Sequence, residues 1–219
     1  MASIDIYLEV GTKRVFAAAV EWPGWCRSGK NEDAAIEALV EAGPRYARAL
    51  GRARSGFAAP EGSADLVIAE RVTGNATTDF GAPGVAPAAD DRRLDTTELE
   101  RQRKLLRACW AALDRGAAAA DGVTLRTGPR GGGRSLDAIV AHVAEAEDAY
   151  LRKLGGRAAP DEDRRAAIEA AVTSRARGEP PARPPRSGNL WAPRYAVRRT
   201  AWHALDHAWE IEDRSADAG

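Results

Sequence analysis

The sequence RYAVRRTAWHALDHAWEIEDR occupies residues 194–214 and repeats its apolar residues at the intervals of an α-helix. Projected at about 100° per residue, this helix has two apolar faces. One face carries large side chains, namely Trp202, Leu205 and Trp209. The other carries His203 and His207 among small or apolar neighbours. A helix that is apolar on two sides must be covered on both. We therefore expect one face to pack in a helical bundle and the other against an N-terminal domain or a second subunit.

Three further helices are predicted upstream of this one. Asp95 and Ser135 stand where helix N-caps are expected, and Asp95 has a glutamate three residues later, the spacing of a capping box. A third, weaker helix is predicted over residues 161–175. No strand pattern separates these segments, so residues 95–214 predict a four-helix bundle.

The N-terminal part of the chain predicts a small α+β domain. Residues 4–10 alternate apolar and polar side chains as a half-buried strand does, and residues 14–20 form the returning strand of a hairpin. Asn31 is the expected cap of a following helix, which Gly43-Pro44 should break or kink. A further strand over residues 65–72 completes the order strand, strand, helix, strand.

Residues 74–94 are rich in Gly, Pro, Ala and Asp, which predicts a linker without regular structure. The predicted domains are therefore residues 1–73, a linker over 74–94, and a bundle over 95–214. The predicted fold class is α+β, with a small ββαβ domain followed by an all-α four-helix bundle.

Composition excludes several classes of function. Hydrophobic residues make up 44% of the 219 residues, and the formal net charge is zero, so the chain lacks the basic footprint of a nucleic-acid-binding protein. No apolar run approaches the roughly 20 residues that span a bilayer. The first residues do not resemble a signal peptide, so we expect a cytoplasmic protein with no membrane or nucleic-acid partner.

Cys26 and Cys109 lie far apart in unlike segments, which implies no disulfide and no Cys–His nucleophile.

His142, His203 and His207 are the three histidines of the chain, and we predict that they bind one divalent metal ion. His203 and His207 are four residues apart, so both imidazoles leave the same face of a helix about one turn apart. His142 lies at the edge of the apolar stripe of the second helix and can supply a third nitrogen. Three neutral imidazoles suit zinc, with nickel, iron or manganese as alternatives, and they leave coordination positions open. Ordinary core or surface histidines are the competing interpretation.

Four charged residues near these helices have two interpretations each, and a fifth, Glu147, has one. Asp206 and Glu210 flank the histidines, either as acceptors that orient an imidazole or as a solvated acidic face. Arg198 and Arg199 could grip a substrate carboxylate or form structural ion pairs. Glu147 falls inside an apolar stripe, where an unpaired carboxylate is costly, so we expect it to pair with an arginine of the fourth helix such as Arg198 or Arg199.

Residues 95–214 resemble the DinB/YfiT-like metal-binding bundles, which carry one histidine early in the second helix and an HxxxH motif in the last. The matching residues are His142, and His203 with His207. That superfamily includes mycothiol-dependent maleylpyruvate isomerase and bacillithiol S-transferases. The resemblance therefore implies a metal-dependent transferase or isomerase that uses a small-molecule thiol and an electrophilic substrate. The arginine-rich composition is typical of a high-GC genome, in which the thiol would be mycothiol.

Residues 4–50 resemble the partial-ferredoxin half-fold of HicB-type antitoxins. In that family the second strand runs into a Pro-Gly-Cys turn, a glycine and a capped helix, which correspond here to Pro23-Gly24, Cys26, Gly29 and Asn31. The DNA-binding segment that often follows has no visible counterpart. The resemblance implies an accessory or oligomerisation domain, which leaves a homodimer open. Two other functions stay open: a metal-dependent hydrolase, and a non-catalytic HicB-like regulatory protein that binds a partner.

Overall fold

The N-terminal part of the chain folds into one four-stranded sheet. The computed structural model describes residues 3–127, 133–183 and 189–215. The strands are β1 (Ile4–Val10), β2 (Val15–Ala19), β3 (Cys26–Gly29) and β4 (Leu66–Thr73). Their order across the sheet is β3-β2-β1-β4, and β4 is parallel to β1 while the other neighbours are antiparallel. The α+β class and the three predicted strands are confirmed. The sequence did not indicate β3, because four residues are too few to show an alternating pattern.

Helix α1 (Glu32–Leu50) covers one face of the sheet and connects β3 to β4. The side chain of Asn31 caps it by accepting a hydrogen bond from the backbone N–H of Ala34, as predicted. Of the two effects expected of Gly43-Pro44, a break or a kink, the break is wrong, because α1 continues through Pro44. Buried residues on both sides of the proline, including Leu39 and Tyr46, hold the two halves in one packed helix, which offsets the lost backbone hydrogen bond.

The segment 74–94 is not the structureless linker that its composition predicts. It contains α2 (Ala76–Phe80) and a 3₁₀ turn at Ala88–Asp91. Glu9 of β1 is fully buried, and its carboxylate organises the segment. It accepts hydrogen bonds from the Thr78 hydroxyl and from the backbone N–H groups of Gly84 and Val85. The composition gave no sign of this order because the partner, Glu9, lies far away in sequence.

Four longer helices follow, at the places where the sequence predicts them. They are α3 (Thr96–Ala119), α4 (Leu136–Lys153), α5 (Arg164–Ala176) and α6 (Pro193–Ser215). The predicted caps are confirmed: Asp95 and Glu98 form a capping box at α3, and Ser135 caps α4. Helix α6 packs along α3 and also contacts α4 and α5, so it lies in the middle of this helical layer. None of the helices in the described ranges combines the length and apolarity needed to cross a bilayer.

The second apolar face of α6 packs against the N-terminal sheet and its turns, one of the two predicted arrangements. Trp202 meets the ring of Phe16 edge to face, with centroids 6.2 Å apart. Leu205 lies against Gly24, which has a φ of +93° and no room for a side chain, since a Cβ there would be 2.9 Å from Leu205 Cδ1. Sheet and bundle therefore share one hydrophobic core.

A buried ion pair ties α6 to both the sheet and the 74–94 segment. The Arg198 guanidinium donates to both carboxylate oxygens of Asp90, at 2.6 and 2.9 Å. It also donates to the backbone carbonyls of Ala19 and Val20 at the end of β2. Both charged side chains are buried. Of the two interpretations of Arg198, the structural ion pair is therefore confirmed.

Glu147 is buried on α4, as its position in the apolar stripe predicts, but its expected partner is wrong. The nearest cation is Arg165 of α5, whose Nε lies 3.8 Å from Glu147 Oε1, and neither Arg198 nor Arg199 pairs with it. Burial raises the pKa of Glu147, and the Arg165 charge opposes that rise. The helical period predicted burial correctly, but the identity of the helix facing Glu147 depends on how the bundle packs.

We expect Arg198→Met to lower the free energy of unfolding by about 3–5 kcal/mol, because Asp90 would stay buried without its cation. The matched control is Arg92→Met, which removes a mostly exposed ion pair with Glu21 and should cost less than about 1 kcal/mol. Chemical denaturation of both variants measures the difference. Equal losses would contradict the role given to the Arg198–Asp90 pair.

Candidate metal centre

Helices α4 and α6 bring His142, His203 and His207 into one cluster. One possible ligand atom from each histidine lies within 4.8 Å of the others. The ring centroids are 4.6 Å apart between His203 and His207, and 5.1 Å from His142 to each of them. Nitrogens that share a tetrahedral ion at about 2.0–2.1 Å lie roughly 3.3 Å apart, so small side-chain adjustments would let all three meet one ion. The three-histidine group could therefore hold a metal ion.

Glu210 orients the imidazole of His207. Its Oε2 lies 2.8 Å from His207 Nδ1, and its Oε1 accepts a hydrogen bond of 2.7 Å from Arg214. The hydrogen bonds from His207 and Arg214 hold the pKa of Glu210 below its usual value. A carboxylate at Nδ1 favours the tautomer that keeps a lone pair on Nε2, the nitrogen left for a metal. The orienting role predicted for Glu210 is thus confirmed, whereas Asp206 pairs with Arg27 of β3 at 3.7 Å.

His203 is more deeply buried than His142. Burial lowers its pKa to about 2, and the neighbouring His207 and Arg199 add to the effect. His203 is therefore neutral at physiological pH, the form that a metal ligand needs. Its Nδ1 is buried without a hydrogen-bond partner in the described residues. Such an unmet polar atom costs free energy unless a ligand completes the site.

His142 forms the accessible side of the cluster. It is only partly buried, while His203 and His207 are buried. Burial also lowers the pKa of His142, and the nearby Arg134 charge acts in the same direction. The cluster is therefore partly open to solvent on the side of His142.

Aromatic and cationic residues surround the cluster, and the sequence gave little sign of them. The rings of Tyr150 and Trp202 lie 5.8 and 5.9 Å from the His203 ring. Arg199 lies over both of these aromatic rings. Arg134, in the loop before α4, affects the pKa of two histidines but belongs to no motif. Tyr150 looked like an ordinary core residue because its approach to His203 depends on how α4 packs on α6.

No family model, curated protein or solved structure matches the chain. The DinB-like and HicB-like memberships therefore stay predictions, and the function is argued from the geometry of the site.

We predict that the purified protein binds about one divalent ion per chain and that each of His142→Ala, His203→Ala and His207→Ala lowers the affinity more than tenfold. Glu210→Gln should weaken binding about 10- to 100-fold, because it loosens an imidazole without removing a ligand. Competition with a chelator, together with elemental analysis, gives these affinities. The matched control, Glu37→Ala, changes an exposed acid on α1. A histidine whose removal leaves the affinity unchanged would not be a ligand.

The buried, neutral His203 should also make the metal-free fold sensitive to acid. Its pKa is about 2 in the folded protein and near 6.5 in the unfolded chain, so between these values only the unfolded chain takes up the proton. Stability is thus lost as the pH falls below 6.5. From pH 6.5 to 4.5, wild type should lose about 2 kcal/mol more than His203→Gln. Urea unfolding at several pH values tests this, with Glu37→Ala as a control that keeps the wild-type slope. If the free energy of unfolding fell equally with pH in wild type and in His203→Gln, the role given to His203 in acid sensitivity would be wrong.

Proposed function

We propose that the chain is a metal-dependent, thiol-using transferase or isomerase of the DinB-like type. The observation that carries this proposal is the convergence of His142 with the His203/His207 pair. The cluster combines one histidine from α4 with two from α6, the arrangement that the DinB-like resemblance implies. Zinc is the ion we propose, since three neutral imidazole nitrogens with open coordination positions suit it.

In this proposal the side chains of the protein would bind the ion and orient its ligands, and none of them would be the nucleophile. When bound, a divalent ion would keep a small thiol as its thiolate, the nucleophilic form. His203 would bind without releasing a proton, because its low pKa keeps it neutral. Glu210 would keep His207 in one orientation. His142, at the accessible side, would leave room for the thiol and for an electrophilic partner.

The cysteines of the chain do not supply the nucleophile. Cys26 and Cys109 are both buried, and burial raises the pKa of both thiols. A buried thiol with a raised pKa is inert. The thiol in the proposed reaction must therefore come from solution, which supports a small cosubstrate such as mycothiol. We propose a cytoplasmic reaction, since small thiols are kept reduced there.

The N-terminal unit is proposed to be a HicB-like accessory domain. Residues on one face of its sheet join the main core with α1, and those on the other face pack with Trp202 of α6. Both faces of the sheet are thus covered by other parts of the same chain. A regulatory protein that docks a partner on this sheet would need an uncovered face, so this arrangement favours the accessory role.

The proposal predicts that millimolar mycothiol, or a surrogate thiol, changes the ligand-field spectrum of the cobalt-substituted protein. Sulfur would enter the coordination sphere and alter the absorption of the ion. Turnover of an electrophilic partner should accompany the change and should vanish in His203→Ala together with the metal. Glu37→Ala should keep both the spectral change and the turnover.

Each alternative function gives a different result in the same experiments. A metal-dependent hydrolase would not need the thiol or would be inhibited by it, and its activity would rise with pH through about 7. A regulatory protein would instead form a complex with a protein partner that survives metal removal. An unchanged cobalt spectrum at millimolar thiol would overturn the transferase proposal and leave the metal centre standing.

A further inference from the structure

Arg199 lies beside the three-histidine cluster, one helical turn before His203 on α6. Its guanidinium carbon is 4.6 Å from the centroid of the Trp202 ring and 5.7 Å from that of the Tyr150 ring. The same two rings contact His203, with centroids 5.8 and 5.9 Å from it. The guanidinium and the imidazole thus share two aromatic neighbours. This arrangement fixes a positive charge at the edge of the candidate metal centre.

Arg199 is unlike the other arginines of α6. Each of the other three has a carboxylate partner, in the pairs Arg194–Glu98, Arg198–Asp90 and Arg214–Glu210. Arg199 makes no ion pair or hydrogen bond with another residue of the described ranges, and its NH1 is buried without an acceptor. A guanidinium has five N–H donors, and a buried donor left unmet costs free energy. A bound ligand with an acceptor group would complete the hydrogen bonds of Arg199.

The charges around the cluster also favour an anionic ligand. Arg134 contributes a second positive charge near His142 and His203, and no carboxylate among the described residues pairs with it. Of the acids near the cluster, Glu210 is engaged by His207 and Arg214, and Asp206 pairs with Arg27. The exposed Glu145 opposes the Arg134 charge at His142, so Arg199 remains the charge without a partner. Neutral imidazoles cannot balance a divalent ion, and one thiolate balances only part of it. The site therefore has an excess of positive charge that a second anionic group would neutralise.

We propose that Arg199 forms a carboxylate-binding subsite, so that the substrate class of the site is a small carboxylic acid whose reacting end lies at the three histidines. This inference rests on the proposed function. The guanidinium fork matches the two oxygens of a carboxylate, which a lysine would not do equally well. Trp202 and Tyr150 hold the guanidinium in place, so little side-chain freedom is lost on binding. Arg199 is a binding residue and takes part in no bond making or breaking.

The first test compares two thiols of equal size in the cobalt-substituted protein. They are 3-mercaptopropionate and its neutral analogue 3-mercaptopropionamide, each titrated while the ligand-field spectrum is recorded. Wild type should bind the acid about 10- to 100-fold more tightly than the amide, as a charge-assisted hydrogen bond would give. Arg199→Gln should lose this preference, and Arg199→Lys should keep only part of it. Arg152→Gln, which removes an exposed arginine of α4, should keep all of it.

The second test needs neither a metal nor a thiol. Benzoate is titrated into the metal-free protein while tryptophan fluorescence is followed, because the Trp202 ring lies directly under the guanidinium. We expect a saturable change in wild type and in Arg152→Gln. Benzamide should give none, and neither should benzoate with Arg199→Gln. The comparison of benzoate with benzamide in wild type tests the subsite even if an Arg199 variant fails to fold.

The two tests separate failure of the subsite from failure of the proposed function. If both thiols change the cobalt spectrum with equal affinity in wild type, and benzoate gives no saturable fluorescence change, the subsite is overturned while the thiol function survives. If neither thiol changes the spectrum but benzoate binds in an Arg199-dependent way, the subsite stands and the thiol function falls. If all responses are absent, both are overturned.

Discussion

The structure depends on the burial of α6 on two sides. Most of its residues are buried along its length, with the helices on one side and the N-terminal sheet on the other. Trp202 and Leu205 fill the side toward the sheet, and Arg198 adds a buried charge that is matched by Asp90. Because these contacts fix both the depth and the rotation of α6, they also fix the direction in which its histidines point.

The candidate metal centre follows from this placement. With the sheet occupying one side of α6, His203 and His207 lie where α4 crosses, and His142 completes the cluster. Burial keeps His203 neutral, which suits a metal ligand, and Glu210 at the border of the cluster orients His207. The same burial that stabilises the fold thereby prepares the nitrogens for binding.

Two of the five buried side-chain polar atoms that lack a hydrogen-bond partner in the described ranges lie at this centre. His203 Nδ1 and Arg199 NH1 are both buried without acceptors or donors among the described residues, one helical turn apart on α6. Each lowers the stability of the folded state unless a ligand supplies the missing contact. Deviations from full pairing are expected where a fold keeps a place for a ligand, and here one lies on a candidate metal ligand and the other on the arginine beside it.

The sequence by itself determined the features that depend on neighbouring residues. The caps at Asn31, Asp95 and Ser135 are visible because a cap contacts N–H groups only two or three residues away. The period of α6 likewise showed its two apolar faces and the shared face of His203 and His207. Tertiary structure alone decided which elements contact each other. Arg165, rather than Arg198 or Arg199, reaches Glu147. Glu9 orders residues 74–94, and Arg199 is left without a carboxylate partner. These features depend on residues far apart in the chain. A local sequence pattern does not predict such contacts, because only packing brings the two residues together.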